Sequence, residues 1–424
     1  MDAKHSDATP EPARFVLPGD PPERETAEGW SAWRLTRNDF LPAPVVDLKT
    51  YRTWSPLGRS LNDLHRRATH ANLPMQDTPM SLAVSRLMHS RMLANSLNAR
   101  PTTRPGIMVN GGGNQGKTET AAEAAAAFED LWLSLSQRFD PKPLPGTRDI
   151  RCTVAYVQTP VKATPKSTCE AILEFFGNEV SRNPTLTRLV RRVRTSLRDH
   201  RTRVLILDDI TRLKLHRIDD QDTLDLLRAL MSMHVTLVLI GVGIPLSGLL
   251  REGRQDPKTK QWHFPPPTPE LTWADEAATQ TERRFDLVDL EPFRYGAPEE
   301  IADFLTHLAG LEDQLRLLKA RPHMLTSGTM PEYIFRRTSG VVGYIERLIA
   351  DGAALAMDNE VEELTEDLLD EVVIRVRDPK RDAEAGEEGT VPPQPARTEP
   401  KAGSRPRNTT FDDKGIPATS SSVV

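Results

Sequence analysis

Gly111, Gly112, Gly113, Asn114, Gln115, Gly116, Lys117 and Thr118 follow one another in the pattern G-x-x-x-x-G-K-[ST]. Glycines let the backbone take positive φ and turn several N–H groups towards one anion, the arrangement that cradles a triphosphate. Lys117 is placed to neutralise the β- and γ-phosphates, and the Thr118 hydroxyl to ligate Mg²⁺. With Glu119 the stretch makes up the candidate nucleotide-binding set. About ninety residues on, an apolar run ends in Asp208 and Asp209. There the first carboxylate can share the metal, and the second can orient or activate a water. Together these residues predict an ATP site with Mg²⁺, in which Lys117 and Asp209 are candidate catalytic groups and Thr118 and Asp208 candidate metal ligands.

Such a site needs a strand to deliver the loop and a helix to leave it. Residues 106–110 read as a short buried strand, and the alanine-rich 118–133 as a helix whose positive end lies under the phosphates. Further strands are expected at 151–158, 203–209 and 235–242, and 282–290 gives an arginine pair leading into a last strand. The apolar 204–207 is followed by its carboxylates at the carboxyl end, where parallel α/β sheets bind ligands. Helices are expected after a cap at Thr164 or Ser167, over 185–200 and over 222–233. The helix at 185–200 carries Arg188, Arg191, Arg192, Arg194 and Arg198 on one side. A run of this kind is most often a solvated face, with contact to DNA phosphates the alternative. Upstream, 57–71 and 78–94 read as two amphipathic helices, and 30–51 as a loosely structured arm whose Trp30, Trp33 and Tyr51 pack on something larger. Residues 140–146 and 252–269 read as surface excursions, and 298–376 as a helical lid.

Lys and Arg number 55 against 60 Asp and Glu, a net charge of −5, so any contact with nucleic acid must be local. Cys152 and Cys169 are the only cysteines, and no secretion signal or membrane-length apolar run is seen, which suits a cytoplasmic protein with reduced thiols. The ten histidines show no zinc-ligand spacing, so nucleotide-bound Mg²⁺ is the one metal expected.

Phosphate loop, acidic-ended strand, arginine pair at Arg283-Arg284 and helical lid, in that order, resemble the AAA+ branch of P-loop ATPases. Within that branch the chain resembles the TniB-type transposition ATP-binding proteins. The residues concerned are His70-Ala71-Asn72-Leu73-Pro74, Tyr156-Val157-Gln158-Thr159-Pro160, Thr164-Pro165-Lys166-Ser167, Leu237-Val238-Leu239-Ile240-Gly241, Arg284-Phe285, Leu290-Glu291-Pro292-Phe293 and 339–345. The resemblance implies an α/β, three-layer core with a five-stranded parallel sheet and a C-terminal helical lid. It also implies an ATP-dependent homo-oligomer on DNA that delivers target sites to a transposase or integrase, with Arg284 reaching into a neighbour's site as an arginine finger. The expected organisation is a disordered segment at 1–28, an arm and helices packing on the core at 29–99, the ATPase core at 100–295, the lid at 296–377 and a disordered tail at 378–424.

Three departures from that pattern bear on turnover. Asp209 stands where AAA+ enzymes mostly carry the longer glutamate, which favours slow hydrolysis. The fourth strand exits through Gly241, Val242 and Gly243 without a polar γ-phosphate sensor, Thr236 lying at its wrong end. Gly343-Tyr344 lacks the lid arginine, with Arg347 one turn on. A signalling or phage-defence ATPase acting on protein partners, and a nucleotide binder with little turnover, are the alternative readings.

Overall fold

The computed structural model describes residues 15–139, 150–179, 184–213, 220–247, 249–250, 254–255, 262–263 and 279–374. The excursions at 140–146 and, for the most part, 252–269, and the tail from 378, lie outside the described residues.

Five strands form the central sheet: β1 (Gly106–Gly111), β2 (Val154–Gln158), β3 (Val204–Asp208), β4 (Thr236–Gly241) and β5 (Phe285–Leu290). Their spatial order is β2-β3-β4-β1-β5, every neighbouring pair parallel, as the resemblance implies. Buried on both faces, β3 and β4 are apolar almost throughout, whereas the edge strand β5 alternates between buried and exposed. Since all five run the same way, the ends of β1, β2 and β3 fall on one edge of the sheet. Register pairs Gln158 with Asp208, and Asn110 with Gly241.

Helices cover the sheet. Upstream of β1 lie α1 (Ala27–Thr36), α2 (Leu48–Thr53), α3 (Pro56–Ala71) and α4 (Pro79–Leu97). The helix leaving the loop, α5 (Lys117–Phe139), buries Ala121, Ala122, Ala125 and Ala126, small side chains that let it lie close to its neighbours. Then come α6 (Pro165–Phe175), α7 (Leu186–Asp199), α8 (Asp220–Met231) and the single turn α9 (Ile244–Ser247). Thr164 is the N-cap of α6, and Ser167 returns the bond to it in a capping box.

The upstream arm is more ordered than its proline-rich sequence suggests. Trp30 is 1% exposed, and its indole N–H donates to Glu129 Oε2 at 2.6 Å. Glu129, itself buried on α5, also accepts from the backbone N–H of Thr153 at 2.9 Å. A carboxylate in that setting is sustained by its donors, although burial pushes its pKa up. Order reaches further towards the N-terminus than the expected boundary at 28, because Arg24 holds Glu119 through both guanidinium nitrogens at 3.0 and 2.7 Å. The loosely structured arm is thus in part the helix α1, held to the core by the buried Trp30–Glu129 hydrogen bond, by Arg34 on Asp130 and by Trp30 stacked on Tyr156.

Helix α3 corrects the reading more sharply. Its leucines, Leu57, Leu61 and Leu64, are exposed, while Asn62, His65, Arg66, Thr69 and His70 are buried. Arg66 donates to both carboxylate oxygens of Glu362, at 2.8 and 2.6 Å, and to the carbonyl of Arg316 at 2.8 Å. The polar face turns inwards because its partners are a carboxylate and a carbonyl in the connections between the C-terminal helices, which the apolar period cannot anticipate.

Those helices are α10 (Pro298–Gln314), α11 (Met330–Thr338), α12 (Val342–Asp358) and α13 (Glu366–Asp370). They enclose their own apolar cluster around Phe304, Leu308, Ile334, Ile345 and Leu348, beginning at Phe293, whereas the cluster around the sheet ends at Leu290. Buried beside Phe293, whose ring centroid is 5.0 Å away, His307 has no hydrogen-bond partner for either ring nitrogen among the described residues. Burial lowers its pKa to about 4. A histidine whose folded pKa lies below its unfolded one contributes stability above the unfolded value, near 6.5, that is lost as pH falls towards 4. His307→Leu should therefore flatten the fall in thermal stability between those pH values, and at neutral pH should stabilise by about 1 kcal/mol through removal of two unsatisfied nitrogens. Thermal melts across pH check this; an unchanged acid slope would contradict it.

Candidate nucleotide-binding site

The loop between β1 and α5 has the backbone its sequence demands. Gly116 takes φ +74°, and Asn114, with φ +58°, is the non-glycine residue that tolerates this region best. The chain then enters α5 at Lys117, so the helix N-terminus points at the loop. Lys117 Nζ donates back to the carbonyl of Gly112. Burial lowers its pKa, against the opposing pull of Asp208 and Asp209.

At the end of β3, Asp208 is only 3% exposed. Its Oδ2 accepts the Thr118 hydroxyl at 2.9 Å and the Tyr156 hydroxyl at 2.6 Å, and its Oδ1 accepts the backbone N–H of Asp209 at 2.7 Å. The structure thereby brings together the hydroxyl and the carboxylate expected to share a metal. This donor set, two hard oxygens beside a loop of glycines and one ammonium, fits Mg²⁺ carried on a triphosphate. When bound, that ion would offset charge on the phosphates; Lys117 would supply a second positive charge, and the loop N–H groups would orient the anion.

Asp209 sits at φ +50°, a left-handed conformation uncommon outside glycine, asparagine and aspartate. Its Oδ2 accepts Gln158 Nε2 at 2.9 Å and lies 2.7 Å from Arg212 NH2. The candidate base is therefore held by two donors, one from the end of β2 and one a turn ahead. Both donors meet the same oxygen and so fix the orientation of the carboxylate.

Tyr156, Gln158 and Arg212 went unassigned in the sequence. The signal for Gln158 is its place at the end of β2, which only the register with Asp208 converts into proximity. Arg24 was missed too: its guanidinium lies 5.4 Å from the Tyr156 ring centroid and occupies the carboxylate of Glu119. Glu119 thus faces the upstream segment with its side chain, leaving its backbone for any role in the loop. Gln115 is buried, and neither polar atom of its side chain has a partner among the described residues.

Arg284 is exposed at the start of β5, where Phe285 pairs with Gly106 at the far end of β1 from the loop. Five residues of strand, about 16 Å, separate that end from the phosphate loop. Arg284 is consequently remote from its own site. Arg347 ion-pairs with Asp351 on its own helix at 3.3 Å. The C-terminal helices instead reach the loop through backbone: the N–H of Gly343 donates to the carbonyl of Asn114 at 2.9 Å.

With this geometry, residues 101–250 match the family model described as AAA domain. The matched stretch contains the loop, Asp208 and Asp209, and is an AAA-type P-loop domain. Among solved structures, the chain is similar to the ORC1 protein of Aeropyrum pernix in complex with DNA, at 15% identity over 72% of this chain and 67% of that one, with a TM-score of 0.48. It is similar also to Cdc6p from Pyrobaculum aerophilum, at 13% over 70% and 67% with a TM-score of 0.43, and to Drosophila ORC bound to DNA, at 12% over 81% and 72% with a TM-score of 0.44. Such distant likenesses say nothing of this chain's own ligands. No curated protein matches it in sequence at a significant level. Among the described residues no cluster of three metal-ligating side chains occurs, and no helix is long and apolar enough to cross a membrane.

A β-carbon on Gly343 would come within 2.8 Å of the Asn114 carbonyl oxygen, closer than real contacts allow. Gly343→Ala should part α12 from the loop, raising hydrogen exchange in both 110–117 and 341–346 by about tenfold, the equivalent of ~1.4 kcal/mol. Unchanged protection in those two segments would contradict the contact.

Proposed function

We propose that the protein binds ATP with Mg²⁺ at the 111–118 loop, hydrolyses it slowly, and uses the bound state to assemble copies of itself on DNA, where it directs a transposase or integrase to its target. The observation that carries the nucleotide part is the junction of Thr118 with Asp208, one residue from Lys117 and one from Asp209. Slow turnover is supported by the short Asp209 side chain. The DNA and transposition part is supported by the residues that resemble the TniB type, above all 156–160 and 339–345.

In this reading Lys117 binds and orients the phosphates, Thr118 and Asp208 hold the metal, and Asp209 accepts a proton from the attacking water. Arg284 acts in trans. Its distance from its own loop favours a neighbour's site, where an arginine finger is worth on the order of 10³ or more in rate. ATP binding then joins subunits and hydrolysis releases them.

Steady-state phosphate release, with and without duplex DNA, tests the scheme. Wild type should turn over slowly, Lys117→Ala and Asp209→Asn should sit at background, and Arg284→Ala should fall at least about tenfold. Mixing Lys117→Ala with Arg284→Ala should recover part of the activity, because one interface then pairs an intact site with an intact finger. Indistinguishable traces for wild type, Lys117→Ala and Asp209→Asn would end the enzymatic reading; no recovery on mixing would end the finger in trans.

A further inference from the structure

Tyr156 is the one residue of β2 whose side chain carries a hydroxyl, and it lies in the interior of the strand, 1% exposed. A buried phenol needs an acceptor for its O–H, and a backbone carbonyl would serve. The acceptor is instead Asp208 Oδ2, at 2.6 Å, the same oxygen that takes the Thr118 hydroxyl. Register explains the reach. Tyr156 pairs with Ile206, and Asp208 lies two residues further along β3, on the same face of the sheet. The ring therefore leans along the strand towards the edge that carries the phosphate loop.

A buried tyrosine that has merely found an acceptor is the plainer reading, and it accounts for the bond but not for how the ring is held. Trp30 stacks on Tyr156 with centroids 5.9 Å apart and planes 10° from parallel, and the Arg24 guanidinium lies 5.4 Å from the centroid of the same ring. Both come from the upstream segment, outside residues 101–250. Each is anchored in turn, the Trp30 indole on Glu129 and Arg24 on Glu119, the residue after Thr118. Rooted in a strand and set against these two groups, the hydroxyl is a fixed donor.

A carboxylate can turn about its last bond, and a metal ligand that turns gives up affinity when it is caught in one orientation. Each oxygen of Asp208 meets one donor that belongs to the sheet or its end: the Tyr156 hydroxyl on Oδ2, and the Asp209 backbone N–H on Oδ1 at 2.7 Å. Donors on both oxygens fix the plane of the group. The remaining donor, Thr118, is itself an expected ligand of the same ion. We propose that Tyr156 is a positioning residue for the metal, setting through Oδ2 the orientation in which Asp208 meets Mg²⁺ on the bound nucleotide. This role rests on the reading of Asp208 as a metal ligand. It does not require Tyr156 to touch nucleotide or ion.

Tyr156→Phe keeps the ring and removes one bond. Tyr51→Phe removes a bond of the same kind between α2 and α3, where the Tyr51 hydroxyl donates to Asp63 Oδ2 at 2.7 Å. ATP binding to the full chain is measured by calorimetry, with Mg²⁺ and with chelator, for wild type and both variants; the ratio of the two affinities is the metal's share. In wild type Mg²⁺ should tighten ATP. In Tyr156→Phe that gain should fall about tenfold or vanish, as for other partners of metal ligands, while affinity in chelator stays within about twofold. Tyr51→Phe should match wild type in both. Added to Asp208→Asn, which leaves no carboxylate to orient, Tyr156→Phe should lower the metal's share no further. Losses of equal size with Mg²⁺ and with chelator would assign Tyr156 to packing alone and overturn the role, as would an undiminished gain in Tyr156→Phe or a further loss on the Asp208→Asn background. A wild type that binds ATP no better with Mg²⁺ would end the reading of Asp208 as a ligand, and this role with it, so the wild-type trace tells the two failures apart.

Discussion

A single buried carboxylate ties this molecule together. Asp208 sits almost wholly out of water, and an ionised group there is tolerable only while donors surround it. Those donors come from separate places: the Thr118 hydroxyl at the start of α5, the Tyr156 hydroxyl in the middle of β2, and the following backbone N–H. One side chain thus fixes the phosphate loop to the acidic strand and that strand to its neighbour. The parallel sheet makes this possible by gathering the carboxyl ends of its strands at one edge.

Around that junction the structure has two apolar clusters, with Met80 packed against both and polar contacts between the elements that carry them. Arg66 reaches from α3 to Glu362 in the connection between α12 and α13, and Gly343 touches Asn114 through backbone alone. Polar and backbone contacts of this kind depend on geometry more steeply than apolar packing does, so small rearrangements at the loop can be felt by the helices above it. The upstream arm adds a third attachment, with Arg24 on Glu119 and Trp30 on Glu129 at two points along the same helix α5. The nucleotide loop is therefore linked to both ends of the described chain.

How much of this can be read from sequence follows from how local each feature is. The phosphate loop and the Asp208-Asp209 pair are legible because their chemistry needs fixed residue types at fixed spacing, and the strands because burial on both faces leaves continuous apolar runs. Tyr156 and Gln158 are not, since each matters through a register that brings together residues distant in the chain; Arg212 is only three residues from Asp209, but its residue type does not mark the turn that pairs them. The helix α3 misleads for another reason: an apolar period assumes that the partner is apolar, and here it is Glu362 and backbone carbonyls. The arginines of α7 looked like a uniform solvated face, and only the return of the chain through Arg151 and Arg203 shows that two of them share a cavity with those residues.

The central claim is that one ammonium, one hydroxyl and one buried carboxylate converge on a metal-bound triphosphate. Calorimetric titration of ATP into the folded protein, with Mg²⁺ and with chelator, tests it most directly when wild type and Asp208→Asn are compared. The expected result is one ATP per chain, bound more tightly with Mg²⁺ by wild type, with the metal's advantage lost in Asp208→Asn while binding in chelator stays similar. No heat from wild type, or an equal response to Mg²⁺ in both proteins, would contradict the account.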